Sequence, residues 1–450
     1  MSETPSLAMT LRQAAEAAGG WLGFDRFMGQ ALLHPSEGYY ARSHRRRGPF
    51  GPEGDFITAP ELGPWMGAAM ARAFARLQSE AAWPLSILEV GPGTGALAAQ
   101  ILMELADRDC LPEAYWMVEP SAFLRTLQRD RLSQILSGRP DATALLGRCR
   151  WASGLDGTAA PIHGLVLAHE VLDALPVQLF EWIGTQEPVM EWGLRWEPEQ
   201  QGWTWCTRPA LPDAMREVRA RAAQAEALGG WMQGHRCEIA PGLTAMVQAL
   251  WAHLASGALV VVDYGYERHE LDHPDRHRGT LAAHLAHERL DAPEDWISDP
   301  GSRDLTAHVD FTRVAQVLRQ HGAGLLHLKS QAAWLLDHGV LEKAEALLFA
   351  DRSQRGRPPE SLEQLHALSQ LQTLLSDAAM GQRFMVLSAF KPLAQPGQPI
   401  GPDGLGNGAA LLACLLGDGS HLQADQRLDQ ARELARPIGL RWTPGLCPDQ

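Results

Sequence analysis

The chain has 450 residues, 45% apolar and 20% charged, with a formal net charge of −14. This is the composition of a soluble globular protein large enough for more than one substructure, and its acidic balance argues against a nucleic-acid binder, which needs a basic surface. The six cysteines are scattered without a CxxC pair, which fits a reduced cytoplasmic protein and not a cysteine-built zinc site.

The first twenty residues, "MSETPSLAMTLRQAAEAAGG", lack the basic start and apolar block of a signal peptide. They predict a short amphipathic helix ending at Gly19 and Gly20. No apolar run reaches membrane-spanning length, so membrane insertion is not expected. The basic run "ARSHRRRG" reads as a solvated loop. From Ile87 to about Asp263, short apolar runs alternate with helical stretches. "SILEV" precedes "GALAAQILMELADRD", "AYWMVEP" precedes "SAFLRTLQRDRLSQIL", and "GLVLAHEVLDALPV" and "GALVVVDYGY" follow. That rhythm predicts a parallel sheet with helices on both faces.

The rhythm breaks after Gln178. "LFEWIG", "VMEWGLRWEP" and "GWTWCTRP" alternate Trp with polar residues, which predicts antiparallel strands inserted after the fourth strand. "DAMREVRARAAQAEAL" predicts a helix. The long polar segment after the fifth strand reads as a lid, and "GQRFMVLSAFKP" as a closing strand. Domain boundaries follow: residues 1–80 as an N-terminal helical, substrate-side region; 81–392 as the main domain, with an insertion over 178–257 and a lid over 266–320; and 393–450 as a Gly/Pro-rich appendage.

"EVGPGTG" carries the first chemical signal. Gly91, Gly93 and Gly95 between a strand and a helix make a nucleotide loop, with Ala96 where a dinucleotide fold has its last glycine. Glu89 at the strand end is badly placed for a pyrophosphate but suits a cationic amino group. Pro92 removes one amide from any phosphate cradle. Glu119, closing "MVEP", is placed to grip ribose hydroxyls. The set fits S-adenosylmethionine (SAM) better than NAD.

Glu170 and Asp173 end a buried strand, where ligands of open parallel sheets sit, and can hold a cation or accept a proton. A competing reading makes "DALP" a helix start. The helix-like spacing of His269, His273 and His277 is interrupted by Pro274 and lies in a charged run, so no metal site is predicted.

In order along the chain, "FDRFMGQALLHPSEGYY", "GDFITAPELGPWMG", "LEVGPGTG", "VEPS", "HEVLDALPV", "VVDYGY", "RGTLAAHLAH", "DPGSRDLTAHVDF" and "MGQRFMVLSAFKP" resemble the motifs of the MidA-like SAM-dependent methyltransferases. This is the family of a mitochondrial complex I assembly factor that methylates arginine. Two positions depart from its pattern: His169 replaces the usual Asn, and the aromatic after "GTL" is absent. The resemblance implies an α/β fold with a Rossmann-like seven-strand sheet, SAM as methyl donor, and a protein acceptor in the peripheral arm of the respiratory NADH:quinone oxidoreductase. The expected cofactor-binding residues are Glu89, Gly91, Gly93, Gly95, Glu119 and His169. Glu170 and Asp173 are the leading catalytic pair, Asp55 and Glu61 the second, and Asp304 with His308 the third. A catalytically weak SAM-binding assembly factor is the alternative, and a NAD-dependent oxidoreductase a more distant one.

Overall fold

The computed structural model describes residues 5–41, 58–158, 161–286, 288–348 and 361–392. Seven strands form the main sheet: β1 (Ser86–Val90), β2 (Tyr115–Val118), β3 (Cys149–Ala152), β4 (Ile162–His169), β5 (Leu254–Tyr266), β6 (Leu325–Ser330) and β7 (Phe384–Lys391). Their order is β3-β2-β1-β4-β5-β7-β6, and β7 runs antiparallel to both neighbours. The end of β5 also pairs with the short strand Val309–Asp310.

Strand alternation explains the three layers. Successive side chains of a strand point to opposite faces. Along β5, Ala258, Val260 and Val262 join one core, and Leu259 and Val261 join the other. Helices Trp65–Glu80, Ala96–Ala106, Ala122–Leu136 and Leu362–Leu375 cover the first face. Leu243–Ala252 and Phe311–Gln320 cover the second. An apolar run with no polar alternation therefore marks a strand buried on both sides.

Three segments far apart in sequence make a second body. Gln178–Trp182, Met190–Glu197, Gly202–Pro209 and His235–Ile239 form an antiparallel sheet, joined at Gly193 and Leu194 by Gly23 and Leu22 of the N-terminal region. A small sheet, Ala282–Leu285 between Glu288–Leu290 and Asp304–Thr306, lies beside it. Leu7, Leu11, Phe24, Phe27 and Met28 pack with Leu179, Leu194, Leu281, Trp296 and Leu305 in one core. We call this body the cap.

The packing divides the chain differently from the sequence reading. Helix Trp65–Glu80 belongs to the main sheet, although it lies before residue 81. Helix Leu243–Ala252 also packs on that sheet, so the inserted strands end at Ile239. The segment expected to be a lid is built of short strands and helices, and its last helix, Phe311–Gln320, is core. An amphipathic pattern marks a buried face without naming its partner. Residues 393–450 lie outside the described residues. Among the described residues no helix is long and apolar enough to cross a membrane.

Candidate active site

Strand register brings the acidic residues together. Val90 pairs with Val118 and Ala168, and His169 pairs with Val262. The residues that follow these positions, Gly91, Glu119, Glu170 and Asp263, therefore emerge at one edge of the parallel sheet, where ligands of such sheets bind.

The glycine loop is built from positive φ angles: Gly91 at 64°, Gly93 at 52° and Gly95 at 81°. Side chains other than glycine are disfavoured there. The Gly91 amide donates to Val118 O at 3.0 Å and the Gly95 amide to Pro92 O at 2.8 Å, which fixes the loop against β2. A concave pocket follows, lined among others by Glu61, Glu89, Gly93, His169 and Glu170. Among the described residues no Lys or Arg lines it. A phosphate there would face the carboxyl groups of Glu89 and Glu170, whereas a cationic ligand is favoured. The donor set thus fits SAM, which carries an amino group and a sulfonium but no phosphate.

Each carboxylate has a defined setting. Glu89 is buried and its Oε2 accepts a hydrogen bond from the Tyr115 hydroxyl at 2.7 Å. Burial pushes its pKa up to about 7 against that bond. Glu119 Oε1 accepts from the Ser121 amide at 2.8 Å, and burial also raises it to about 7. Gln128, fully buried, links the two motifs: its amide donates to Gly93 O at 2.8 Å and lies 3.5 Å from Glu119 Oε2.

Beside the pocket lies the acidic turn. Glu170 has φ +52°, and its amide donates to Val262 O at 2.8 Å. A non-glycine residue held in the left-handed region stores strain, which is often found at functional sites. Among the described residues its Oε1, 3.5 Å from His169 Nδ1, is buried without a hydrogen-bond partner, as are Asp173 Oδ1 and His169 Nε2. Burial, then the nearby Asp173 carboxylate, holds Glu170 well above the usual carboxylate range. Burial lowers His169 to about 4, so this imidazole is neutral. "DALP" forms a turn, with the Leu175 amide on Leu172 O at 3.2 Å, and does not start a helix.

The cap closes on this turn. The Ala307 amide donates to Asp173 O at 3.0 Å, and the Tyr40 hydroxyl to Asp304 Oδ1 at 2.9 Å. Burial raises Tyr40, reinforced by the charges of Asp304 and Asp173. Asp304, a third-ranked candidate, therefore stands with the leading pair. His308 sits edge-on to Tyr264, ring centroids 5.2 Å apart, and burial lowers it to about 3.

Glu61 departs from the catalytic expectation. Arg131 grips it with two hydrogen bonds, at 2.9 and 2.7 Å, and Thr94 Oγ1 donates to the same carboxylate. A carboxylate so engaged buttresses the glycine loop and is not available to take a proton. Asp55 lies outside the described residues. His269 and His273 are side-chain exposed on separate short turns, and among the described residues no group of His, Cys, Asp or Glu is placed to hold a metal.

Asp263 was missed by the motif reading. It is fully buried, and its Oδ2 accepts the amides of Val171, Leu172 and Asp173 at 3.2, 2.9 and 3.3 Å. A carboxylate ending the apolar run "LVVV" was its signal, the same signal that marked Glu89 and Glu119.

A family model described as "Putative S-adenosyl-L-methionine-dependent methyltransferase" matches residues 66–328, more than half of the chain. The chain belongs to this family. Its cofactor is SAM, and it is a SAM-dependent methyltransferase. The chain is similar to a solved structure described as "a COG1565 superfamily member and likely methyl transferase from Burkholderia thailandensis bound to S-adenosyl-homocysteine". It is 32% identical, covers 86% of this chain and 92% of its own, and superposes with a TM-score of 0.73. Among curated relatives, the protein arginine methyltransferase NDUFAF7 of Rattus norvegicus is 27% identical over 80% of this chain and 78% of its own length. The NDUFAF7 homolog of Drosophila melanogaster is 28% identical over 86% and 85%.

Proposed function

We propose that this methyltransferase transfers its methyl group to arginine in a protein, with a subunit of the respiratory NADH:quinone oxidoreductase as acceptor and support of that complex's assembly as outcome. The supporting observation is the buried acidic turn: Glu170 Oε1, 3.5 Å from His169 Nδ1, and Asp173 Oδ1 accept no hydrogen bond among the described residues, beside the SAM pocket and with Asp304 close by. The acceptor proposal follows the family resemblance, and the arginine relatives support the residue type.

The chemistry of arginine asks for such a turn. A guanidinium is almost always protonated and is then a poor nucleophile, but it presents five N–H donors in a fixed fork. Two carboxylates with open acceptor atoms hold that fork and orient one nitrogen. When bound, SAM supplies a methyl group on a sulfonium. Glu170 and Asp173 neutralise the positive charge of the acceptor and take the proton released when the nitrogen is alkylated. Burial raises both above the ordinary carboxylate range, which suits proton acceptance. Glu89, Glu119 and His169, with the glycine loop, hold SAM in this reading. Tyr40 and the 281–307 part of the cap exclude water from the turn.

Incubation of purified protein with methyl-labelled SAM and lysate from cells lacking the gene tests the reading. A labelled protein with methylarginine by mass spectrometry is expected. Bound SAM without any labelled arginine would reject it.

A further inference from the structure

A second cavity, of about 640 Å³, opens in the cap between His235–Ile239 and the small sheet, and no role above uses it. Arg236, Arg278 and Arg289 line it beside the His277 imidazole, against one carboxylate, Asp291. Asp291 is already bridged by Arg289 at 2.7 Å. Arg236 lies over the Trp192 ring, 4.3 Å from its centroid, and its amide donates to His277 O at 2.9 Å. Arg278 is exposed and has no ion-pair partner among the described residues. Trp296, Leu281 and Pro293 supply an apolar wall. A chain of net charge −14 thus gathers guanidiniums around one opening.

One segment connects the cavity to the acidic turn. Gly279 and Leu281 line it, and Thr280 between them accepts the His308 amide at 3.1 Å. Asp304 pairs in register with His284, and Ala282 with Thr306. From His284 back to Gly279 is about five residues, at most ~17 Å at ~3.3 Å each if fully extended. The charge of Arg289 also reaches His308. A carboxylate-lined turn and a guanidinium-lined cavity are therefore linked by one short segment, with opposite signs.

We propose that this cavity docks an acidic segment of the acceptor, so that the substrate is an arginine flanked a few residues away by Asp or Glu. The proposal rests on the arginine reading and names its substrate class. The arginine enters the acidic turn, and the flanking carboxylates meet Arg278, Arg236 and Arg289. Opposite charges on the two parts of one peptide also set its direction in the groove.

The test uses the full chain and peptides with a central arginine. One peptide carries three Glu four to six positions on one side, a second carries them on the other side, and a third carries Gln at all those positions. At low salt, kcat/KM for the better Glu peptide is expected to exceed that of the Gln peptide about tenfold, and salt should erode the difference. Arg278→Glu should bring the ratio to about one, and Arg278→Lys should restore most of it. Equal kcat/KM for all three peptides with wild-type protein would overturn the docking proposal and leave arginine methylation standing. If no peptide is methylated, fluorescence anisotropy of the labelled Glu peptides decides the docking separately. Binding that Arg278→Glu weakens about tenfold supports it, and no binding overturns it.

Discussion

Asp263 and Asp173 are joined through the backbone: Asp263 Oδ2 accepts the Asp173 amide at 3.3 Å, together with the amides of Val171 and Leu172. The fully buried carboxylate thus shapes the turn that presents Glu170 and Asp173. Burial and the charges of Asp173 and Glu170 hold Asp263 well above its ordinary range. Asp263→Ala removes the acceptor of four amides, those of Val171, Leu172, Asp173 and Tyr264, at about 1–3 kcal/mol for each buried one left unsatisfied before relaxation. Denaturant melts are expected to show a loss of several kcal/mol. Asp263→Asn keeps an acceptor oxygen and should retain most of the stability. Equal stability of Asp263→Ala and wild type would refute this role.

Asp173→Asn separates binding from chemistry. In the proposed reading this side chain holds the acceptor arginine and not SAM. SAM affinity should stay within about threefold of wild type, while methyl transfer falls on the order of 10²-fold or more, as when one charge-stabilising group is removed. Calorimetry and a labelled-methyl assay read the two quantities. Lost SAM binding would reassign Asp173 to the cofactor.

Glu89 and Glu119 predict a pH dependence. Burial raises both to about 7 from an ordinary value of 4.5. A cationic ligand favours the ionised forms, so SAM affinity should rise between pH 6 and 8, with protons released on binding. The ligand-free protein has the opposite slope. A folded-state pKa above the unfolded one adds stability that is full below about pH 4.5 and lost as pH climbs through about 7. For Glu89 the shift corresponds to about 3 kcal/mol at ~1.4 kcal/mol per unit. Glu89→Gln should flatten both slopes. Calorimetry in two buffers of different ionisation heat measures the protons, and an affinity that stays flat across the range would refute the assignment.

Gly91→Ala tests the loop. The residue sits at φ +64°, and an added Cβ would lie 2.9 Å from Val171 Cγ2, next to Glu170. The left-handed conformation alone costs roughly 1–2 kcal/mol for alanine. A drop of about tenfold in SAM affinity is expected, with a smaller loss in transfer once SAM saturates. An unchanged dissociation constant would show that the loop does not touch the ligand.

Glu119→Ala should weaken SAM binding about tenfold or more, since a hydrogen bond to a charged group is worth about 1.5–3 kcal/mol. The Gln128 link to Gly93 O keeps the loop in place in this variant. Unchanged affinity would end the ribose role.

Much of this protein follows from local sequence. The doubly covered sheet is legible because apolar runs such as "LVVV" in β5 serve both faces, and the glycine loop because left-handed φ angles select glycine. The acidic strand ends mark the ligand edge for the same local reason. Tertiary structure alone decided the partners. Glu61 and Glu170 are both carboxylates in polar turns, yet Arg131 neutralises the first, 70 residues away, while the second keeps an oxygen that accepts no hydrogen bond among the described residues. The cap was hidden because its core joins residues 7–32, 179–194 and 281–307, which no short-range pattern couples. Periodicity reports which face a segment buries, and burial of that face against a distant one is settled only when the whole chain packs.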